Sequence, residues 1–331
     1  MNERLHGLEA VRGVAPLLVA WTHAQYLSQT DTRAALLFDK GYLAVDLFFV
    51  LSGFVLARTY ERNMPATADF LTMRFARLWS LVAIGVALGA LHFALRDLGF
   101  MTLLPHLVAG LLILPMIGFV IALNPPAWSI FFELVANGLH ASVFSKVGTG
   151  VLCALVVLSA AILMIFAGAS GLNVGQGDTF LLGVPRVVMG YCLGIVLYRL
   201  NADRTHVPAA WAWPIVALVP ITVAAATVYV PAEVEVLFAL VMCPAVVLGS
   251  LSLKASRIAA FLGAVSFPVY AVHFPVQWLL ILWGADFWGA LLFSLLGSIL
   301  VALVCDRRSR AAFAAMLPAT LSPPRQLAEG G

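Results

Sequence analysis

Apolar runs of roughly 18–20 residues recur from one end of the chain to the other, each long enough to cross a hydrocarbon core about 30 Å thick. No water is present at that depth. Every backbone N–H and C=O must therefore be satisfied within its own segment, so the runs read as helices. Composition agrees: of 331 residues, 62% are hydrophobic and 11% charged, against about 25% charged in soluble domains. A pair of soluble domains, the prior from length alone, is excluded. The net charge of +3 is a loop asymmetry rather than a nucleic-acid footprint. Cys153, Cys192, Cys243 and Cys305 lie far apart in apolar segments, so they read as buried and inert, with neither metal spacing nor a disulfide framework. Glu3, Glu9 and Arg12 interrupt the first apolar stretch, which argues against a signal peptide.

Ten spans are predicted: 8–27, 43–59, 78–95, 127–144, 150–166, 184–200, 211–230, 236–251, 261–283 and 287–304. The stretch 103–123 is long enough to be an eleventh, but it carries Pro105, Pro115 and Gly118. Lys and Arg decide between the two. With ten spans and a cytoplasmic N-terminus, 14 basic residues fall inside and 4 outside; an eleventh crossing with the same start reverses the bias. The expectation is an all-α polytopic membrane bundle of about ten transmembrane helices, with both termini cytoplasmic and 103–123 re-entrant or interfacial. Residues 1–305 form one transmembrane domain and 306–331 a poorly ordered cytoplasmic tail.

Ionisable groups inside spans are the functional candidates, since each costs roughly 2.5–3.5 kcal/mol at the bilayer centre. The apolar run 41–54 contains Asp46, with Ser52-Gly53 as a small-residue packing site. The first span holds Glu9, Arg12 and His23. Arg12 and His23 share one helix face about 16 Å apart along the axis. Arg74 and Arg77, at i and i+3 before the third span, suit a paired anion grip or a topological anchor. Ser129, Glu133, Asn137 and His140 form a polar stripe on the fourth span. Ser266, Tyr270, His273 and Gln277 form another on the ninth, loosened by Pro268 and Pro275. Such stripes line a cleft or bond helix to helix. Arg186, near an outer span end, reads as a lipid-headgroup contact.

G-x-S-x-G, H-E-x-x-H, Walker and Rossmann patterns are absent. Two classes survive on the residues alone. One is a membrane transferase with a histidine base and an arginine grip for an anionic donor. The other is a proton-coupled transporter with a His–carboxylate relay.

Five stretches then carry a resemblance: 8–15 with the Arg12–His23 spacing, 41–54, Arg74-x-x-Arg77-Leu, Trp128-Ser-x-x-x-Glu133, and Ser266 to Pro275. Together, in this order, they resemble the acyltransferase family 3 membrane proteins, with Ser80 and Phe267 departing from the family's usual Pro and Tyr. The resemblance implies an O-acyltransferase moving an acyl group, acetyl by preference, from acyl-coenzyme A to a hydroxyl of a surface glycan or lipid-linked sugar. It implies no metal and no nucleic-acid partner, and a bacterial inner-membrane location. In that frame His23 is the general base on the acceptor hydroxyl, or carries the acyl group transiently, and Glu133 or Asp46 orients it. Arg12, Arg74 and Arg77 hold the coenzyme, while Trp128, Ser129, Ser266, Tyr270 and His273 line the acceptor side.

Overall fold

The computed structural model describes residues 5–114, 122–201, 204 and 207–316, with side chains of the last helix described through Val304. Among them are eleven α-helices and no strand: α1 (His6–Ser28), α2 (Ala44–Tyr60), α3 (Thr67–Ala94), α4 (Phe100–Leu111), α5 (Ala127–Leu139), α6 (Thr149–Phe166), α7 (Gly183–Asn201), α8 (Ala212–Tyr229), α9 (Glu235–Ser250), α10 (Arg257–Leu282) and α11 (Phe287–Met316). A turn of π-helix, His140–Phe144, extends α5. The protein is a polytopic helical membrane bundle. Eight stretches are long and apolar enough to cross a membrane by length and composition. The other two predicted spans, α1 and α5 with its π turn, are the ones whose polar residues lower their hydropathy.

Contacts along the helices fix their directions. Arg12 meets Ser266 and His23 meets His273, so α1 and α10 run parallel. Gly53 and Gly194 let α2 and α7 run parallel at backbone contact: a Cβ on Gly53 would lie 2.0 Å from the Tyr191 carbonyl oxygen, and one on Gly194 2.1 Å from that of Val50. Lipid gives apolar side chains no reason to leave it for one another, so small residues that bring backbones together carry such interfaces. In contrast α3 and α5 are antiparallel, Arg74 facing Glu133 and Leu71 facing Gly138. The same alternation of direction holds through α11.

The segment between α3 and α5 starts and ends on the same side. Helix α4 descends beside α3 until the Leu111 carbonyl accepts from Trp79 Nε1 at 2.9 Å. By Leu123 the chain is back at the level of Gly89. At 1.5 Å per residue Trp79 lies about 15 Å deeper than Gly89, so this piece dips in and returns; Pro115 and Gly118 lie outside the described residues. Arg58, Arg62, Lys146, Arg199 and Arg257 gather at one end of the bundle, here the basic end. Arg33, Lys40, Arg96 and Arg186 lie towards the opposite end.

The core lies where α2, α7 and α10 are most enclosed, whereas α6, α8 and α11 show most surface to lipid. Cys192 and Cys243 are buried as expected, but Cys153 is exposed on α6, whose apolar residues face outward. The helix of the last pass continues to Met316. The side chains of Cys305, Arg307, Arg308 and Arg310, and residues 317–331, lie outside the described set.

Candidate active site

Three spans bring the first set of candidates together near the end opposite the basic one. His23 on α1 places Nδ1 2.9 Å from Nε2 of His273 on α10, with the rings stacked. Nδ1 of His273 lies 2.7 Å from the Val269 carbonyl oxygen, one turn earlier on the same helix. A carbonyl only accepts, so His273 Nδ1 carries the proton and its Nε2, in the neutral ring, is an acceptor. His23 must then donate from Nδ1, which leaves the lone pair on its Nε2. This sets a tautomer suited to taking a proton. His23 lines a cavity of about 40 Å³ with Tyr42, Trp128, Arg186, Tyr270 and residues of the α6–α7 connection. That volume admits water-sized groups, so a whole substrate needs the walls to part.

Sequence expectation gave His23 a carboxylate partner, Glu133 or Asp46. The structure pairs it with His273 instead, because both carboxylates are engaged elsewhere. Asp46, 1% exposed, receives Nε and Nη2 of Arg186 at 3.1 and 2.9 Å in a two-point pair. Glu133 Oε1 receives Arg74 Nη2 at 3.0 Å and Ser52 Oγ at 3.1 Å. Arg186 is no lipid contact: it is 1% exposed, donates also to the carbonyls of Tyr42 and Val174, and stacks 5.4 Å from the centre of the Trp128 ring. In the membrane interior a guanidinium is stable only with most of its donors filled.

The polar stripes mostly bond helix to helix, and of their members Tyr270 lines the cavity. Ser129 and Tyr270 hydroxyls lie 2.6 Å apart, so one donates to the other, and the Pro126 carbonyl, 3.2 and 3.3 Å from them, accepts from whichever keeps its proton. Asn137 and His140 both meet the Tyr191 hydroxyl. Ser266 is buried and donates to the Arg12 carbonyl at 2.7 Å; that bond pins α1 to α10 and keeps Ser266 out of the cavity lining. Gln277 donates to the Ala20 carbonyl. The stripes thus face the bundle interior, but several of their members are structural.

Arg74 stands one helical turn deeper than Tyr270 and Ser129, through its bond to Glu133 four residues after Ser129. Its Nε has no hydrogen-bond partner. Arg77 follows, half-buried, at i+3 towards the membrane interior on α3, and Arg12 is half-buried on α1. Arg74 thus stands on the basic-end side of the histidine pair, held by Glu133.

Three features escaped the sequence reading. Arg186 sat in an apolar span, the same signal that flagged Asp46, yet its position near the span end suggested headgroups. Glu235 is fully buried and accepts from Lys40 Nζ at 2.7 Å, Tyr42 Oη at 2.8 Å and Leu172 N at 2.8 Å. Pro275 lacks the N–H that would bond the Ala271 carbonyl four residues back. Asn124 Nδ2 fills that place at 2.9 Å; an asparagine before Pro-Pro was the available hint.

The sequence matches the acyltransferase domain family over residues 5–307. It is similar to protein 2 in the picA locus of Rhizobium radiobacter, with 36% identity over 189 residues, covering 50% of this chain and 95% of that protein. No solved structure matches. The family match runs from the first helix of the bundle into the last, and the chain belongs to the acyltransferase family 3 of integral membrane proteins.

Proposed function

We propose that the protein is an O-acyltransferase that moves an acyl group, acetyl by preference, from acyl-coenzyme A to a hydroxyl of a carbohydrate acceptor such as an exopolysaccharide or lipopolysaccharide sugar. The observation that carries this reading is the His23 Nε2 lone pair on a residue that lines the cavity, with the opposite nitrogen held by His273. The excess of basic residues at one end supports a cytoplasmic location for that end in a bacterial inner membrane. Acyl-coenzyme A is then met first by Arg74 and Arg77, and Arg12 lies on the same approach. Arg74 has an unfilled Nε to offer a phosphate oxygen without releasing Glu133.

In the transfer step the acceptor O–H gives its proton to His23 Nε2 while its oxygen bonds to the thioester carbonyl carbon. The C–S bond then breaks, and the leaving thiolate takes the proton back. The products are the ester and free coenzyme A. Tyr270, which lines the cavity, is the donor assigned to the carbonyl oxygen as it gains charge, and Ser129 is its hydrogen-bond partner.

The test is transfer from radiolabelled acetyl-coenzyme A to de-O-acetylated surface polysaccharide by protein in proteoliposomes. His23→Gln should lose roughly 10²–10⁴-fold in rate, the size of a general-base contribution, while it still inserts and unfolds at the wild-type temperature. Full activity in that variant overturns the assignment of His23. Proton-coupled flux of a sugar without acyl-coenzyme A, and no ester formed, replaces the enzyme with a transporter.

A further inference from the structure

We infer that Asn173 and Gln176 form an acceptor subsite at the mouth of the His23 cavity, built to recognise a neutral, hydroxyl-rich ligand; this rests on the acyl-transfer reading above. Both residues belong to the connection 167–182 between α6 and α7, at the end opposite the basic one. Both are exposed, and both line the cavity that His23 and Tyr270 share. Neither side-chain amide bonds another described residue.

The backbone on each side of them is fixed. Leu172 N donates to the buried Glu235, which Lys40 and Tyr42 hold in turn. The Val174 carbonyl accepts from Arg186, which Asp46 holds. Leu172 and Val174 are buried, so Asn173 between them is presented outward from two anchors. Gly175 follows at φ +113°, its bare Cα over Trp128; a Cβ there would lie 2.4 Å from the ring. This left-handed glycine lets the chain hug the indole and then present Gln176. The buried charges that do not serve His23 thus anchor the backbone of a rim beside the base.

The chemistry of the rim selects its ligand. Each amide offers donors and an acceptor in one plane, matching a hydroxyl, which both donates and accepts. Among the described residues that line the cavity, Arg186 alone carries a fixed positive charge, and it is committed to Asp46 and two carbonyls. The lining therefore suits a neutral group better than a phosphate. Tyr42 adds aromatic surface for the apolar face of a sugar ring, Trp128 being taken up by Arg186 and Gly175. The phosphate-rich donor then belongs at the arginines and the polyol at this rim.

The experiment measures initial rates in proteoliposomes against the concentration of de-O-acetylated polysaccharide at saturating acetyl-coenzyme A, and the converse. Asn173→Ala/Gln176→Ala should raise the acceptor KM roughly 10–50-fold, as expected for losing two hydrogen bonds of about 1 kcal/mol each. The acetyl-coenzyme A KM and the unfolding temperature should stay as in wild type. Asn173→Asp, which keeps shape and acceptors but loses the donors, should fall between. An acceptor KM within twofold of wild type in the double variant overturns the subsite and leaves the acyl-transfer reading standing. Wild-type protein that acetylates no glycan overturns that reading and the subsite with it.

Discussion

His23 and His273 face each other across 2.9 Å, Nδ1 to Nε2, although 250 residues separate them in sequence. The geometry makes His273 a positioning residue, because its own proton is tied to the Val269 carbonyl. His273→Phe removes the acceptor that fixes the His23 tautomer. Turnover should fall roughly 10–100-fold, less than the loss of the base itself, with both KM values near wild type. His273→Gln, which restores a carbonyl acceptor, should recover part of the rate. Residues acting as one unit are not additive, so His23→Gln/His273→Phe should be no slower than His23→Gln alone. A multiplicative loss would show that His273 acts independently.

The Asp46–Arg186 pair is a support rather than a reacting group. Removing one partner strands a buried charge, so Asp46→Ala should cost about 3–5 kcal/mol in stability. Asp46→Leu/Arg186→Met replaces both by apolar groups and should recover most of that in detergent unfolding measurements. The stable double variant should keep its turnover at saturating acceptor, while its acceptor KM rises because Val174 has lost its anchor. A double variant that folds but does not turn over would return Asp46 to the chemistry.

Asn124 and Pro275 make a second exchangeable pair. Asn124→Leu leaves the Ala271 carbonyl without a donor, at a cost of about 1–3 kcal/mol. Pro275→Ala supplies the missing backbone N–H, so adding it to Asn124→Leu should restore stability. Alone, Pro275→Ala should change stability little, since Asn124 already occupies the carbonyl. A double-mutant cycle of unfolding free energies reads the coupling directly. If the two substitutions simply add, the amide is not standing in for the lost helix bond.

Periodicity and hydropathy were sufficient for a polytopic helical bundle, and for eight of the predicted spans, because membrane depth forces backbone bonds to close within each segment. They were sufficient for the stripes on α5 and α10, since polar groups at helical spacing must face away from lipid. Partner choice was not legible. Whether Asp46 meets His23 or Arg186 depends on α2 lying beside α7, and Gly53 and Gly194 set that contact without naming the partner. The rim residues were hidden for another reason: Asn173 and Gln176 sit in a polar loop, where amides are ordinary, and only the buried anchors around them mark them out.

The path of the chain between α3 and α5 makes the last prediction. A Cβ at Gly99 or at Gly148 meets no atom within 4 Å, so cysteine fits at either site. Gly99 precedes α4, and Gly148 follows α5 and its π turn. If the segment holding α4 returns to the side it left, α5 is the single crossing between them. In a variant whose native cysteines are replaced, a membrane-impermeant maleimide applied to intact cells should therefore label Gly99→Cys and spare Gly148→Cys until the membrane is opened. An eleventh crossing would put both on one side and give them the same reactivity. It would also carry the basic end after α5 to the opposite face from Arg58 and Arg62, which the contact of Arg199 with Glu61 at 2.6 Å does not allow.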